Sequence, residues 1–493
     1  RHHHCIIVAP FKRGNYKANR HNMKYCSTRG GATNATLTFE EVLFSGYASD
    51  GGLFMPHSFP TVHPERLKSW AKLSYTDLAL EIASLYISEE EIPKSALKDL
   101  FQKAFSRFST SDVVQLARLQ QGLNVAELFH GPTLAFKDLA LSCVGQFFEY
   151  FLTKSGRHMT VLVGTSGDTG SAAIESVKPL SSVDIIVLLP KGRCTEVQER
   201  QMTTVIADNV HVYRVEGTSD DLDQPIARCF NDTEFSKKHN LCCINSINWA
   251  RIMVQIVHYF YCYFQMCPSC DEDVEIVVPT GACGNVTAGL VAKTMGLPIK
   301  LTCAVNVNDI VARTIDNGDF SVSQEVYHTF SSAMDIQMPY NVERLLYILS
   351  GQDTSTISQL MKQFEADQKL ELPTSLKNKL HSTFRSYRGD DSLITKTIKR
   401  CWEQNKYLLC PHTALAAAYH YDHQDGSQKR VCIATASPAK FESAIEAAGL
   451  SMPRSPEIQA LLQKPTKFLE MKKGEDWDAT LRTKIEEVTK MRA

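Results

Sequence analysis

Apolar side chains in the first quarter of the chain recur at the spacing of a buried helix face. Between Tyr75 and Phe108 they fall three or four positions apart, which is the period of an amphipathic α-helix. These apolar positions are Leu78, Ile82, Leu85, Tyr86, Leu97, Leu100, Phe101 and Phe105. A turn-rich stretch, YASDGGLFMP, precedes them at 47–56. We therefore predict a small, mainly helical N-terminal domain over residues 23–110.

From about residue 111 to 450, short β-branched runs alternate with helical segments. The runs typical of buried strands are TVLVG (160–164), DIIVLLP (184–190), HVYRVEG (211–217), VEIVVP (274–279), LTCAVN (301–306) and VCIAT (431–435). The helical segments between them include SAAIESV (171–177), TAGLVAKTMG (287–296) and TALAAAYHY (413–421). This alternation predicts an α/β fold with mostly parallel sheets, arranged as two lobes around a cleft. The polar residues 451–493 are expected to form a helical C-terminal tail.

The first 22 residues differ in composition from the rest of the chain. They contain five basic residues and no acidic one. Mitochondrial presequences share that bias but are rich in serine and amphipathic, and this stretch has no serine and no clear period. We interpret residues 1–22 as a disordered or non-native leader and expect no metal site at His2, His3 and His4.

Overall charge and cysteine usage exclude several classes of protein. The formal net charge of -1 gives no reason to expect nucleic acid or an anionic membrane as a partner. No apolar run approaches the roughly 18 to 20 residues of a membrane span. The 15 cysteines are scattered, which favours reduced thiols in the cytoplasm. The pair Cys267 and Cys270 has CxxC spacing but no second ligand pair, so we interpret it as two ordinary thiols in a loop, with metal or redox chemistry as the alternative.

Two glycine-containing loops each lie between a predicted strand and a predicted helix. They are GTSGDTG (164–170) and PTGACGN (279–285). The glycines allow a close approach of the backbone to a ligand, and the unpaired N–H groups of a helix start attract an anion. An ordinary strand–helix turn explains either loop equally well when it is taken alone.

Two further segments carry candidate chemistry. In ATASPAKF (434–441), Thr435 and Ser437 place hydroxyl groups after a strand, although a capped turn beginning at Pro438 is the simpler interpretation. In ELFHGPTLAFKD (127–138), Lys137 follows three apolar residues that would desolvate its ammonium group. A neutral lysine amine attacks a carbonyl to form a Schiff base, whereas spacing alone also allows an ordinary surface lysine.

These strings resemble those of the threonine synthases. ELFHGPTLAFKD, GTSGDTG, PTGACGNVTAGLVAK, CPHTA and TASPAKF occur in this order, and the resemblance covers roughly residues 23–450. Threonine synthases are fold type II (tryptophan synthase β-like) enzymes that depend on pyridoxal 5'-phosphate (PLP). The resemblance implies a two-lobed PLP-binding catalytic core over residues 111–450.

The resemblance also implies a role for individual residues. Lys137 would be catalytic and hold PLP as a Schiff base, with Thr435 facing the pyridine nitrogen. Asp168 would contact both the cofactor's ring oxygen and the substrate. The residues that would hold the cofactor phosphate are Gly281, Ala282, Cys283, Gly284 and Asn285. The residues expected against the substrate are Thr165, Ser166, Gly167, Thr169, Arg193 and Lys440, with Lys191 and Arg251 as further candidates for its phosphate.

Two departures from the family pattern concern the product. Threonine synthases usually read GNFGN or GNFGD where this chain has Ala282 and Cys283, and TAHPAKF where it has Ser437. We therefore expect a phospho-lyase that converts O-phosphohomoserine or O-phosphothreonine to 2-oxobutanoate, ammonia and phosphate. A true threonine synthase, a serine or threonine dehydratase, and a non-catalytic interaction protein with this fold remain as competing interpretations. A monomer or a homodimer is expected.

Overall fold

The computed structural model of the chain describes residues 22–31, 37–424 and 426–493. Except for Asn22, the predicted leader therefore lies outside the described residues. The helices are α1 (Phe39–Leu43), α2 (Pro64–Trp70), α3 (Tyr75–Ala83), α4 (Lys94–Phe105), α5 (Lys137–Ser155), α6 (Asp168–Val177), α7 (Glu196–Thr203), α8 (Ser219–Asn231), α9 (Thr233–Lys238), α10 (Trp249–Met266), α11 (Gly284–Thr294), α12 (Ile310–Asn317), α13 (Val342–Leu349), α14 (Thr354–Asp367), α15 (Thr374–Thr383), α16 (Asp391–Asn405), α17 (Pro411–Asp422), α18 (Glu442–Ala447), α19 (Pro456–Gln463) and α20 (Trp477–Arg492).

The strands form two larger sheets and two short antiparallel pairs. They are β1 (Tyr25–Ser27), β2 (Phe54–Pro56), β3 (Gln115–Arg118), β4 (Asn124–Glu127), β5 (Met159–Gly164), β6 (Val183–Pro190), β7 (Val210–Val215), β8 (Leu241–Cys243), β9 (Val274–Pro279), β10 (Ile299–Val305), β11 (Asp319–Ser321), β12 (Lys369–Glu371), β13 (Phe384–Arg388), β14 (Lys429–Ala434) and β15 (Leu469–Met471). One sheet has the order β13-β10-β9-β14-β4-β3 and the other β15-β7-β6-β5-β8.

Both sheets are parallel except at one edge, where β3 pairs antiparallel with β4. Every residue of β6 is buried, as expected for a strand that helices cover on both faces. The predicted two-lobed α/β fold is therefore confirmed. Strands β9 and β14 lie side by side in one sheet, so the loops that follow them open at the same edge.

The N-terminal helices pack against the centre of the molecule. Helix α10 is buried on nearly all sides: 15 of its 18 residues are buried. Aromatic contacts join it to the N-terminal region: the rings of Tyr25 and Trp249 lie 6.0 Å apart, and those of Trp70 and Phe260 lie 5.8 Å apart. Strand β1 and helix α2 therefore support the helix that lies behind the cleft.

The C-terminal segment contains a strand as well as helices. Strand β15 pairs with β7, and α20 buries Leu481, Ile485 and Val488. The guanidinium of Arg492 donates from Nε to the buried carboxylate of Asp184 at 2.8 Å. Residues 469–492 are thus an integral part of the five-stranded lobe, where the sequence predicted only a helical tail.

Two further properties of the described residues concern partners. None of the described helices combines the length and the apolar character needed to cross a lipid bilayer. All 14 cysteines in the described part of the chain are free thiols, and most are buried.

Candidate active site

A cleft of about 850 Å³ lies between the two sheets and collects most of the predicted site residues. Those that line it are Lys137, Thr165, Ser166, Asp168, Thr169, Gly281, Ala282, Cys283, Gly284, Asn285 and Thr435. Arg251 also lines it, whereas Gly167, Arg193 and Lys440 are not among its lining residues. The loops after β9 and β14 open at one edge of the six-stranded sheet, and the loop after β5 in the other sheet faces them across the cleft.

Lys137 is the first residue of α5, and its side chain is only 12% exposed. Burial lowers the pKa of Lys137 to about 8. The nearby Asp168 carboxylate raises this pKa in part, and the positive charges of Arg251 and Lys440 lower it further. At pH 7.5 a pKa of about 8 leaves roughly a quarter of the amines neutral, compared with about 0.1% for a solvated lysine. The site thus supplies a nucleophilic amine near neutral pH.

The segment before Lys137 is tied to the loop that carries Thr435. The N–H of Phe136 donates to the carbonyl of Thr435 at 2.7 Å, and the N–H of Ser437 donates to that of Leu134 at 2.9 Å. Leu134 has φ +63, a left-handed conformation that costs a non-glycine residue roughly 1–2 kcal/mol. The two loops are therefore held together across the cleft floor, which places Thr435 beside the lysine.

Lys440 lies beneath the cleft, where the sequence predicted a substrate contact. Its side chain is 0% exposed, with Nζ 2.6 Å from Oδ1 of Asp168 and 2.9 Å from the carbonyl of Thr133. Lys440 and Lys137 together hold the pKa of the Asp168 carboxyl well below its usual range despite burial. This correction has a simple physical reason, because a buried carboxylate requires a buried cation.

Hydrogen bonds between its own residues fix the conformation of the loop over residues 164–170. The hydroxyl oxygen of Thr165 accepts from the N–H groups of Gly167 at 3.0 Å and Gly170 at 2.9 Å. Gly167 has φ +140, and a Cβ there would lie 2.7 Å from the side chain of Gln198. Gln198 in turn donates to Asp168 at 3.0 Å. Gly167 therefore serves the shape of the loop, while Ser166 and Thr169 face the cleft.

The loop over residues 279–285 ends at the start of α11. Cys283 precedes this helix in the left-handed region, with φ +66, and burial raises the pKa of its thiol well above the usual range. A Cβ on Gly281 would lie 2.9 Å from the carbonyl oxygen of Ala333. The side-chain Nδ2 of Asn285 is buried and has no hydrogen-bond partner in the described structure. Unpaired N–H groups at a helix start, together with this free amide, suit an oxyanion such as a phosphate ester.

Arg251 is a buried cation of the cleft for which the described residues supply no carboxylate partner. Its side chain is 2% exposed, its Nη1 donates to the carbonyl of Ile244 at 3.1 Å, and its Nε is unpaired. Burial lowers its pKa to about 10, so it is positively charged at neutral pH. By contrast, Lys191 lies within 4 Å of Glu216 and Glu470 at the surface. An anionic ligand would stabilise a buried charge of this kind.

Sequence reasoning did not single out three other groups of the cleft. His412 accepts from the N–H of Ala333 at 3.1 Å through Nε2, and burial lowers its pKa to about 4. Asp223 accepts from the hydroxyl of Tyr340 at 3.0 Å, and burial raises its pKa to about 7. Arg29 is bonded to the carboxylates of Glu343 and Glu365. His412 lies in CPHTA and Arg29 in STRGG (27–31), which also fits the family pattern, but neither residue was given a role. Asp223 lies in none of these strings.

One surface cluster contains possible metal ligands. Ligand atoms of Cys267, Asp271 and Glu272 lie within 4.8 Å of one another, and both carboxylates are exposed. The thiol donates to Asp271 at 3.3 Å, and Lys429 pairs with Glu272 at 2.7 Å. Because these contacts already satisfy the group, we assign no metal to it.

Two parallel α/β lobes that bring a buried lysine and two helix starts to one cleft define fold type II of the PLP-dependent enzymes. Family models described as threonine synthase N terminus and threonine synthase, C-terminal, match residues 24–105 and 413–482. Threonine synthase-like 2 of Pongo abelii is 53% identical over 475 residues, which are 95% of this chain and 98% of that protein. The chain therefore belongs to the threonine synthase family.

Solved structures agree with this assignment over nearly the whole chain. A PLP-bound threonine synthase from Brucella melitensis is 35% identical with a TM-score of 0.87, covering 95% of this chain and 99% of that one. Threonine synthase from yeast is 36% identical with a TM-score of 0.86, and the match covers 96% of this chain and 99% of the yeast chain. The expected family and fold class are thus confirmed.

Proposed function

We propose that this chain is a PLP-dependent phospho-lyase. Its substrate would be O-phosphohomoserine, O-phosphothreonine or both, and its products 2-oxobutanoate, ammonia and phosphate. The observation that carries the proposal is the buried guanidinium of Arg251, which has no carboxylate partner among the described residues and an unpaired Nε, in the same cleft as Lys137. The amine accounts for a carbonyl cofactor, and the guanidinium accounts for a phosphorylated substrate.

The residues of the cleft fit PLP. Lys137 would bind the cofactor covalently, and the start of α11 with the free Nδ2 of Asn285 would hold its phosphate. Thr435 would present a neutral hydroxyl to the pyridine nitrogen, which favours elimination over transamination. When bound, PLP supplies a carbonyl carbon for the substrate amine and a ring that withdraws electrons from the substrate's Cα. The PLP-bound relative from Brucella melitensis supports this choice of cofactor.

The chain's own groups would move protons and hold two anions. With O-phosphothreonine, only the Cα proton must be removed before phosphate leaves from Cβ; with O-phosphohomoserine, a Cβ proton must also be removed before phosphate leaves from Cγ. The neutral amine of Lys137 takes the Cα proton, and Asp168, 3.8 Å from Nζ, stabilises the resulting ammonium. The hydroxyls of Ser166 and Thr169 and the N–H groups at the start of α6 bind the substrate carboxylate. Arg251 binds the substrate phosphate and neutralises charge as that group leaves.

Release of 2-oxobutanoate, in preference to water addition, is supported by the two departures from the family pattern. Ala282 brings a methyl group to the cleft where an amide is usual. The hydroxyl oxygen of Ser437 accepts from the N–H of Ala439 at 3.2 Å and caps a short turn, so it does not replace the missing imidazole. Threonine formation would need a water molecule held and deprotonated beside Cβ, and these changes remove two groups that could assist.

A product assay tests the proposal. Purified protein is incubated with O-phosphohomoserine and with O-phosphothreonine, and phosphate, 2-oxobutanoate and threonine are measured for wild type and Lys137→Ala. We expect equal amounts of phosphate and 2-oxobutanoate from wild type and no turnover by the variant. Threonine as the main product would make the chain a true threonine synthase.

Two control measurements test for a dehydratase and for a non-catalytic scaffold. Rapid turnover of unphosphorylated serine or threonine would indicate a dehydratase. Protein that gains no visible absorbance with PLP, and no borohydride-stable adduct at Lys137, would indicate a non-catalytic scaffold.

We also propose the remaining organisation from the sequence. Limited proteolysis is expected to cut near the proposed boundaries of the N-terminal domain (23–110), the core (111–450) and the C-terminal segment (451–493). Free thiols throughout the described residues support a cytoplasmic enzyme. Light scattering on the eluted protein distinguishes the expected monomer or homodimer from larger assemblies.

A further inference from the structure

The two ends of the Asn285 amide have unequal surroundings. Its Oδ1 lies 2.7 Å from the hydroxyl of Tyr259 and 3.0 Å from Nε2 of His258. Its Nδ2 is buried and has no partner in the described structure. Asn285 lines the cleft at the start of α11, whereas His258 and Tyr259 lie on α10 with no exposed surface. The oxygen is thus held from behind, and the NH₂ group is left for a ligand.

Rotating this amide by half a turn would reverse its polarity toward the cleft. His258 would then have to accept from Asn285 at Nε2 and carry its own proton on Nδ1. The Nδ1 atom is buried and has no partner among the described residues, so a proton there would be an unsatisfied buried donor. With the proton on Nε2, it is used in the bond to Asn285. The surroundings of the imidazole therefore favour the orientation in which Oδ1 faces α10.

Two further properties keep this arrangement in place around neutral pH. Burial lowers the pKa of His258 to about 3, so the ring is neutral and carries one proton. Burial also raises the pKa of Tyr259 well above the usual range, so its hydroxyl stays protonated. The same hydroxyl lies 2.8 Å from the main-chain carbonyl of Asn285, so its single proton is shared between the two oxygens of that residue.

We propose that His258 and Tyr259 are positioning residues that orient the Asn285 amide, so that its NH₂ group faces the phosphate of the cofactor. This inference rests on the proposed function, because it requires PLP in this cleft. An amide NH₂ donates a charge-assisted hydrogen bond to a phosphate, whereas the reversed amide would present a carbonyl oxygen to the same negative charge. The pair therefore sets the affinity for the phosphate end of the cofactor without touching it.

The test compares two ligands that differ only in the phosphate. Apoenzyme is titrated with pyridoxine 5'-phosphate and with pyridoxine, neither of which has the aldehyde that Lys137 would trap. Tyr259→Phe and His258→Leu are each expected to weaken binding of the phosphorylated ligand about tenfold, equivalent to about 1.4 kcal/mol. Binding of pyridoxine should be unchanged, and the ³¹P signal of the bound phosphate should shift in both variants.

Two control variants separate positioning from a general loss of packing. His258→Gln keeps an N–H donor near the position of Nε2 and should restore most of the affinity lost in His258→Leu. Tyr263→Phe removes another buried hydroxyl of α10, one that donates to the carbonyl of Glu272 at 2.8 Å, and should bind both ligands like wild type. Tyr259→Phe removes a single oxygen atom, so it keeps the test decisive if His258→Leu does not fold.

The outcomes distinguish this inference from the function on which it rests. Equal weakening for both ligands, or unchanged affinity for the phosphorylated one in Tyr259→Phe, would overturn the positioning role alone. Wild-type apoenzyme that binds neither pyridoxine 5'-phosphate nor PLP would overturn the cofactor assignment, and the positioning role with it.

Discussion

Replacing Lys440 by methionine tests the electrostatic design of the site. The substitution removes a cation that lies 2.6 Å from Asp168 in an environment with no solvent exposure, while methionine keeps most of the volume. Removal of one partner of a buried ion pair costs about 3–5 kcal/mol. Because Asp168 retains Gln198 and Lys137 as partners, we expect the lower end, about 3 kcal/mol, in the free energy of unfolding at pH 7.

The same substitution should change the acidity of Lys137. Lys440 repels the Lys137 ammonium and occupies the carboxylate that would otherwise stabilise it. Without Lys440, the pKa of Lys137 should rise from about 8 by roughly one unit, and about tenfold fewer amines are then neutral at pH 7. The rate at which apoenzyme captures PLP should fall about tenfold, and its pH midpoint should move upward by the same unit.

Chemical denaturation and stopped-flow absorbance measure the two effects. Since the Asp168 carboxyl has a lowered pKa, its stabilising contribution is present above the unfolded value of about 3.9 and is lost as pH falls. The stability gap between wild type and Lys440→Met should therefore narrow in acid. Lys191→Met, at a surface lysine that is 39% exposed, is the matched control and should change neither quantity. An unchanged pH midpoint of PLP capture in Lys440→Met would refute this account of the site.

Three further predictions concern other parts of the molecule. Arg251→Gln should raise KM for O-phosphohomoserine at least tenfold, while the bound cofactor keeps its absorbance. Arg251→Lys should recover part of this loss. An unchanged KM of Arg251→Gln in steady-state assays would exclude the guanidinium as the ligand of the substrate phosphate. Gln368→Gly should raise the free energy of unfolding by about 0.5–1 kcal/mol, because Gln368 caps the C-terminal end of α14 in the left-handed conformation, with φ +52. If chemical denaturation gives the same free energy of unfolding for Gln368→Gly and Gln368→Ala, this explanation is wrong. Burial raises the pKa of Asp138 to about 6, so the folded state holds this proton more tightly than the unfolded one. Between pH 4 and pH 6, the free energy of unfolding of wild type should therefore fall by about 2 kcal/mol relative to that of Asp138→Asn, as measured in unfolding titrations. If the free energies of the two proteins change in parallel with pH, this carboxyl does not titrate in that range.

The sequence predicted β5, β6, β7, β9, β10 and β14, most of which are continuous apolar runs, but it missed the interior strand β4. The run DIIVLLP corresponds to β6, and VEIVVP to β9, since a strand covered on both faces admits few polar residues. The edge strand β3, with the sequence QLAR, and the three-residue strand β15 were missed. Their side chains are partly solvated, so neither alternation nor a long apolar run marks them.

The same distinction between local pattern and long-range packing separates the site residues that the sequence could place from those that it could not. Residues such as Thr435 could be placed because loops that follow parallel strands open at one edge of the sheet. Lys440 could not, because its burial depends on Asp168, which lies in another lobe and far away along the chain. The role inferred for His258 likewise depends on the packing of α10 against α11, and its own neighbours in sequence are ordinary helix residues.

The pairing of β15 with β7 has a consequence for biosynthesis. Strands β5, β6 and β7 are translated early, yet their sheet gains its last strand only from residues 469–471, and α20 then packs on α8. The six-stranded sheet, by contrast, is complete once β14 has left the ribosome. During elongation, the sheet that carries the 164–170 loop therefore has an unpaired edge at β7 until residues 469–471 are translated. A premature stop codon after β14 would leave this edge exposed and prone to aggregation.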